Sequence, residues 1–319
     1  MPKVIFFTSL ATDLANILIR SAPPHFDVRI YPPDLAEEQQ KQLIRDTDFL
    51  ILFTSHVSDD VLRSARQLKL IQLVGAGYDK INLPLCREIG VPVANNGGTN
   101  AVDAAEHALT LMLAAYRRLP EMDRNVRSGN WDAIDSGATT YTIHGKTVGI
   151  VGLGKIGQRV AQLLKPFDAE LLFFDPSPPP ADVQRSLGVM QASLEELLRR
   201  ADIVTLHVPL LPSTRHLIGA KELAAMKPTA LLVNTGRGPV VDEAALSEAL
   251  RQRRLGWAAL DVYTKEPVDP ANPILRLENT TFTPHTGGVT YDTWARRGEF
   301  IFRNIQRVWA GEKPLAVVS

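Results

Sequence analysis

The sequence predicts an α/β fold in two units, and three observations carry that reading. Short β-rich runs alternate with polar helical ones along most of the chain. The second group of strands is almost continuously apolar, as expected when helices cover both faces of a parallel sheet. The 319 residues also exceed the usual size of one domain.

In the first hundred residues KVIFF, FDVRIY, FLILF, LKLIQLV and the short PVANN read as strands, with LAEEQQKQLIRD and SDDVLRSARQ as surface helices between them. A helix from about residue 101 to 126 follows the Gly97–Gly98 pair. Asn100 is placed to cap it and Asp103 lies near the positive end of its dipole. Its length predicts a rigid connector between units. After the loop SGNWDAIDSGATTYTIHGK come the strands TVGIV, ELLFF, GVMQ, DIVTLH, ALLVN and GWAALDV. The helices KIGQRVAQLLK, SLEELLRRA, KELAAMK and DEAALSEALRQ alternate with them, and Ser193 with Glu196 fits a capping box. The expected division is 1–100 plus 286–319 for one unit and 101–285 for the other, with a last helix at about 294–309 returning to the first.

Composition narrows the function classes. Thirty-five Lys and Arg balance 35 Asp and Glu, so there is no bulk attraction to nucleic acid or an anionic membrane. Cys86 is the only cysteine, which excludes an intramolecular disulfide and a thiolate metal cluster. The apolar helical stretch ALTLMLAAY falls well short of the roughly twenty residues a membrane span requires. MPKVIFFTSL reads as a first strand rather than a secretory signal. A soluble, cytoplasmic protein acting on a small molecule, with no metal, is the expectation.

The stretch TVGIVGLGKIGQRVA at 147–161 passes from a strand through three glycines into a helix. Gly152 would permit the tight turn, Gly154 the approach of a pyrophosphate, and Gly157 the packing of helix on sheet; the anion would meet the helix N-terminus. A glycine-rich turn with no ligand is the alternative reading of the bare pattern. The next strand ends in Asp175, about twenty residues on, where a carboxylate can accept both ribose hydroxyls of NAD and would repel a 2′-phosphate. A methyltransferase can also set an acid against a ribose, so this pattern alone leaves the cofactor class open.

The later motifs narrow it. From LKLIQLVGAGYDKINL and NNGGTNAVDAAEHAL, through the glycine motif, to HVPLLPSTRHLI, NTGRGPVVDEAAL, ALDVYTKEP and TPHTGG, the chain resembles the D-isomer-specific 2-hydroxyacid dehydrogenases over practically its whole length. The resemblance implies a Rossmann-type NAD-binding unit and a smaller flavodoxin-like βα substrate unit. It implies that Arg237, Glu266 and His285 are catalytic, with Asp261 beside the nicotinamide carboxamide. Further cofactor contacts are implied for Lys155 and Ile156, for His207, Pro209 and Thr214, for Thr235 and Gly236, and for Gly287. Gly236 departs from the alanine or serine usual before the arginine and should add backbone freedom. A homodimer formed through the cofactor unit and its long helix is also implied.

The chemistry of these residue types agrees. A 2-hydroxy acid presents a carboxylate, which the planar Arg237 fork can clamp, and a carbinol whose proton His285 can take as hydride leaves. Glu266, bonded to the far imidazole nitrogen, would fix the tautomer and stabilise the charged ring, extending reduction toward neutral pH. Gly287 and Gly288 would leave room for the cofactor ring. The amides of Gly75 and Ala76 would hold the substrate carboxylate with Arg237 at a cleft between the units. His56 would approach the substrate's variable group, or be a solvated loop residue. His107 with Glu106 lacks a third metal ligand, His144 reads as closing a turn, and Trp131, Trp294 and Trp309 read as packing groups. The expected reaction is NAD-dependent interconversion of a small D-2-hydroxy acid and its 2-oxo acid, of glyoxylate or hydroxypyruvate type. An NAD-sensing interaction protein, or a formate or phosphite dehydrogenase on the same scaffold, is the alternative.

Overall fold

The computed structural model describes residues 1–53 and 57–319, so His56 lies outside the described residues. The chain divides into two compact units, Met1–Asn100 with Val289–Ser319, and Ala101–Gly288. The return to the first unit thus begins at Val289 rather than at residue 286. The backbone amides of Thr286 and Gly287 explain the shift, because both bond to Asp261 inside the second unit.

The first unit is a parallel sheet of β1 (Lys3–Thr8), β2 (Asp27–Tyr31), β3 (Phe49–Phe53), β4 (Leu70–Leu73) and β5 (Val93–Ala94), in the order β2-β1-β3-β4-β5. Alternate residues of these apolar strands serve two cores. Val4, Phe6, Phe49, Ile51 and Leu70 pack with Leu18, Trp294 and Phe302, while Ile5, Phe7, Leu50 and Ile71 pack with Ile44, Leu62 and Cys86. The helix Tyr291–Trp309 belongs to the first of these cores. It starts at Thr290, whose side chain accepts the Thr293 amide. A Cβ at Gly298 would lie 2.2 Å from the Leu18 carbonyl oxygen, so glycine sets the closeness of that crossing. Asn304, fully buried, bonds Gln72 and both polar backbone groups of Leu315, which fastens the tail.

The second unit holds seven parallel strands: β6 (Thr147–Val151), β7 (Glu170–Phe174), β8 (Val189–Gln191), β9 (Ile203–Leu206), β10 (Leu231–Asn234), β11 (Trp257–Leu260) and β12 (Thr280–Phe282). Their order is β12-β11-β10-β9-β6-β7-β8, the doubly wound arrangement of a Rossmann-like domain. The expected two-domain α/β class therefore holds. The order reverses between β6 and β9, so a crevice opens beyond their carboxyl ends, where such sheets bind ligands. One expected element differs. The helix foreseen over 101–126 is two helices, Ala101–Tyr116 and Leu119–Arg127, separated by Arg118 in a left-handed conformation at φ 47°. Pro120 opens the second helix; with no N–H and a restricted preceding residue, it cannot continue the first. Asn100 Oδ1 accepts the side-chain amide of Asn96 at 2.8 Å. No helix among the described residues is long and apolar enough to cross a membrane.

Candidate active site

The site is built at the carboxyl ends of the second unit's strands. Beyond β6 the backbone turns at Gly152, with φ 92°, and its amide donates to Phe174 O at 2.8 Å. A Cβ at Gly152 would fall 2.9 Å from the His207 carbonyl, and one at Gly157 only 2.1 Å from Gly152 O. At Gly154 a Cβ would meet nothing within 4 Å. Gly152 and Gly157 thus serve the tight turn and the helix contact, while Gly154 leaves open approach to the backbone. Lys155, exposed, and Ile156, half-buried, begin the helix Lys155–Leu164, which has no side-chain cap. Asp175, just past β7, is pinned to this turn: one carboxylate oxygen accepts the Leu153 amide and the other the Ser177 amide, each at 2.8 Å. Each oxygen retains a lone pair for a further donor.

Across the switch point, beyond β9, the His207 amide bonds Val151 O and its Nε2 lies 2.9 Å from Thr205 Oγ1. Burial pushes the His207 pKa down to about 4, so the ring is neutral near pH 7. Its Nδ1 and the hydroxyl of Thr235, beyond β10, are buried polar atoms with no partner among the described residues. Two such atoms beside an open glycine turn, a helix N-terminus and an oriented carboxylate form a donor and acceptor set that fits a dinucleotide. Thr214 is engaged locally, its hydroxyl donating to Pro209 O at 2.6 Å and accepting the Leu211 amide. Those two residues shape the loop at 209–214.

The three residues expected to be catalytic lie one to three strands further along. Arg237 follows β10 with extended backbone, its Nη1 donating to Gly236 O at 2.8 Å and its carbonyl accepting the Asn234 side chain. The Gly236 amide in turn donates to Asn234 Oδ1, and Gly236 does not adopt a positive φ. A Cβ there would come within 3.2 Å of Val208 O, a tight fit but not a forbidden one. Glu266, in the loop after β11, has one oxygen 2.7 Å from His285 Nδ1, and its other oxygen accepts the Tyr263 amide at 3.1 Å. Burial alone would raise the Glu266 pKa. The bonds from His285 and the Tyr263 amide, with the charges of His285 and Arg237, outweigh it and hold the carboxyl below its usual range. His285 itself sits at φ 55°, its amide donating to Asp261 O at 2.7 Å.

Asp261 is the buried hub of the arrangement. Its Oδ1 accepts the Thr283 hydroxyl at 2.6 Å and the Thr286 amide at 2.9 Å, and its Oδ2 accepts the Gly287 amide at 2.9 Å. Burial would raise its pKa, but bonds from His107, Thr283 and the two amides bring it down to about 2. A Cβ at Gly287 would strike Asp261 Oδ2 at 2.9 Å and the His107 ring at 3.2 Å. The protein itself therefore demands glycine at 287.

Residues 109–287 match the family model described as D-isomer specific 2-hydroxyacid dehydrogenase, NAD binding domain. The chain belongs to this family. A glyoxylate reductase of Korarchaeum cryptofilum is 37% identical over 301 residues, covering 92% of this chain and 90% of the relative. A D-3-phosphoglycerate dehydrogenase of Methanocaldococcus jannaschii is 38% identical over 287 residues, 89% of this chain but only 54% of that protein. A crystal structure of a Thermus thermophilus protein superposes with a TM-score of 0.86 at 32% identity, covering 99% of this chain and all of the other. Membership carries the family-level activity, nicotinamide-dependent oxidoreduction between 2-hydroxy and 2-oxo acids.

Within this dehydrogenase the second unit brings together Glu266, His285, Asp261 and, through its charge, Arg237. Gly75 and Ala76 lie in the first unit just past β4. Their carbonyls accept the Asn96 amide at 3.2 Å and the Asn95 side chain at 3.0 Å, which fixes the turn. Two residues at the hub, His107 and Thr283, carry no sequence signal beyond their type, and the sequence offers His107 only as an incomplete metal ligand. Their contact spans 176 positions, too far for any local pattern to reveal.

Proposed function

We propose that this dehydrogenase uses NADH to reduce a small 2-oxo acid of the glyoxylate or hydroxypyruvate type to its D-2-hydroxy acid, and runs the reverse reaction. The observation that carries the proposal is the 2.7 Å contact between Glu266 and His285 Nδ1, in the same unit as the glycine turn and Asp175. That contact leaves Nε2 as the imidazole nitrogen available to substrate, on a side chain 42% exposed. In reduction the imidazolium gives its Nε2 proton to the carbonyl oxygen, while Glu266 steadies the ring through Nδ1. In oxidation neutral Nε2 takes the hydroxyl proton. The bound nicotinamide supplies the hydride or accepts it. Arg237 presents a planar fork to the substrate carboxylate.

Asp175 supports NAD over NADP. Its ionised carboxylate favours two ribose hydroxyls and opposes a phosphate, and the residues following it, Pro176 and Ser177, bring no compensating cation. Short 2-oxo acids are favoured by the similarity to a glyoxylate reductase. A homodimer is part of the proposal, supported by Leu119, Val126, Trp131 and Ile134, which leave large apolar groups 58–86% exposed along one segment of the second unit. A one-chain mass in light scattering at working concentration would remove it.

An anaerobic panel tests the chemistry by following the absorbance of the reduced nicotinamide. It crosses NADH and NADPH with glyoxylate, hydroxypyruvate, pyruvate, phenylpyruvate and 3-phosphohydroxypyruvate, and tests formate and phosphite with the oxidised forms. Reduction of at least one short 2-oxo acid, with NADH preferred, is expected. Saturable NADH binding without any turnover would instead indicate a sensing role, and turnover of formate or phosphite alone would reassign the substrate.

A further inference from the structure

The helix Ala101–Tyr116 delivers one histidine to the buried hub. His107 Nε2 lies 2.9 Å from Thr283 Oγ1 and 3.3 Å from Asp261 Oδ1, on a side chain 19% exposed. The Thr283 hydroxyl has a single hydrogen, and it is given to Asp261 Oδ1 at 2.6 Å. Toward His107 that oxygen therefore has only lone pairs to offer. Nε2 must carry the ring proton and donate, so the donors run in one direction, from His107 to Thr283 to Asp261.

What this chain of donors holds is the turn that carries His285. Asp261 grips the turn at three places: its carbonyl takes the His285 amide, Oδ1 the Thr286 amide and Oδ2 the Gly287 amide. A carboxylate is free to rotate about its last bond unless its oxygens are distinguished by their partners. Oδ1 is crowded by Thr283, Thr286 and His107, while Oδ2 has the Gly287 amide and acceptor capacity to spare. The His107 ring also lies against Gly287, where an added Cβ would be 3.2 Å from its Cδ2.

We propose that His107 is a positioning residue that, through Thr283, fixes the orientation of the Asp261 carboxylate and with it the 285–287 turn presenting the His285 imidazole. The inference rests on the function proposed above, because His285 matters only if it moves the proton. Asp261 Oδ2 retains acceptor capacity in the unit that carries the glycine turn, so His107 should act on cofactor affinity as well as on turnover.

The test compares His107→Phe, which keeps a ring but cannot donate, with His107→Gln, whose amide N–H reaches about as far as Nε2. H107F should lower kcat for a 2-oxo acid about tenfold and weaken NADH binding, read by fluorescence titration, by a similar factor, as expected for one bond lost from a charged network. H107Q should recover most of both. T283V, which removes the linking hydroxyl at constant volume, should reproduce H107F, and the double variant should be no worse than either single one. If H107F fails to fold, T283V and H107Q carry the comparison. Equal defects in H107F and H107Q, defects that follow the melting temperature alone, or multiplicative losses in the double variant would overturn the proposal. Should the wild-type protein reduce no 2-oxo acid, the proposed function fails; the NADH titrations still show whether His107 orders the turn.

Discussion

Replacing Glu266 with Gln removes a charge while keeping a side chain of the same shape beside His285 Nδ1. The two groups are 2.7 Å apart, and their side chains are 42% and 37% exposed. Unit charges centred about 4 Å apart attract by about 4 kcal/mol at an effective dielectric near 20. Screening at this exposure cuts that figure, and a hydrogen bond to a charged partner contributes about 2 kcal/mol net. The sign follows from which form the carboxylate favours. Glu266 accepts from Nδ1 and its charge favours the imidazolium, so E266Q removes support from the form proposed to donate the proton in reduction. A loss of ~2 kcal/mol in support of that form costs about 30-fold in the rate of reduction. Oxidation, which uses the neutral ring, should lose less. The assay is single-turnover consumption of NADH, and its formation in the reverse direction, with deuterated NADH and deuterated 2-hydroxy acid establishing that hydride transfer is the observed step. Equal losses in reduction and oxidation would refute the reasoning, since Glu266 would then act by packing alone.

Asp175→Ala should raise KM for NADH about tenfold and leave KM for NADPH little changed or lower, narrowing the preference; unchanged ratios would show that the carboxylate bonded to the Leu153 and Ser177 amides does no more than shape the turn. Arg237→Lys keeps the charge and loses the fork, so KM for the 2-oxo acid should rise at least tenfold with NADH affinity unaffected; a selective loss of NADH binding would place Arg237 elsewhere in the site. His207 ties stability to pH. Its pKa of about 4 in the folded chain lies below the ordinary value near 6.5, so the unfolded chain binds more protons between those values. Stability should therefore fall as pH drops from about 6.5 to 4, by up to about 3 kcal/mol, and urea melts of His207→Asn should show a flatter dependence across that window. Equal slopes for both proteins would contradict a buried neutral ring.

Much of the second unit could be read from the chain because its signals are local. An apolar run, three glycines and a helix with Asp175 on the following strand occupy fewer than about thirty consecutive residues, and each glycine has a steric reason that can be stated before any coordinates. The break at Arg118 is also signalled locally, by Pro120, but the strong apolar periodicity of ALTLMLAAY masks it. The edge strand Thr280–Phe282 is less legible. Two of its three residues are threonines, and only pairing with β11 makes the segment a strand. His107 could not have been assigned from sequence at all. Its role depends on a helix and a strand end that are far apart in the chain, and a lone histidine on an apolar helix face has no periodicity of its own to distinguish it.

The short edge strand nevertheless decides the geometry of the chemistry. Because β12 pairs in parallel register with β11, with Leu260 opposite Phe282, the residues that follow the two strands emerge side by side. Asp261 and Glu266 leave one strand, and Thr283 and His285 leave the other. A left-handed backbone at a histidine costs about 1 kcal/mol, and it persists here because the Asp261 carbonyl and carboxylate take the amides at 285, 286 and 287. The same stretch after β11 therefore sets both where the imidazole is and how its ring is held: Asp261 governs its backbone, and Glu266 its Nδ1. Position and ring orientation are consequently coupled through one loop. A substitution that loosens Asp261 should therefore slow reduction, although Asp261 bonds the backbone of the 285–287 turn rather than the imidazole.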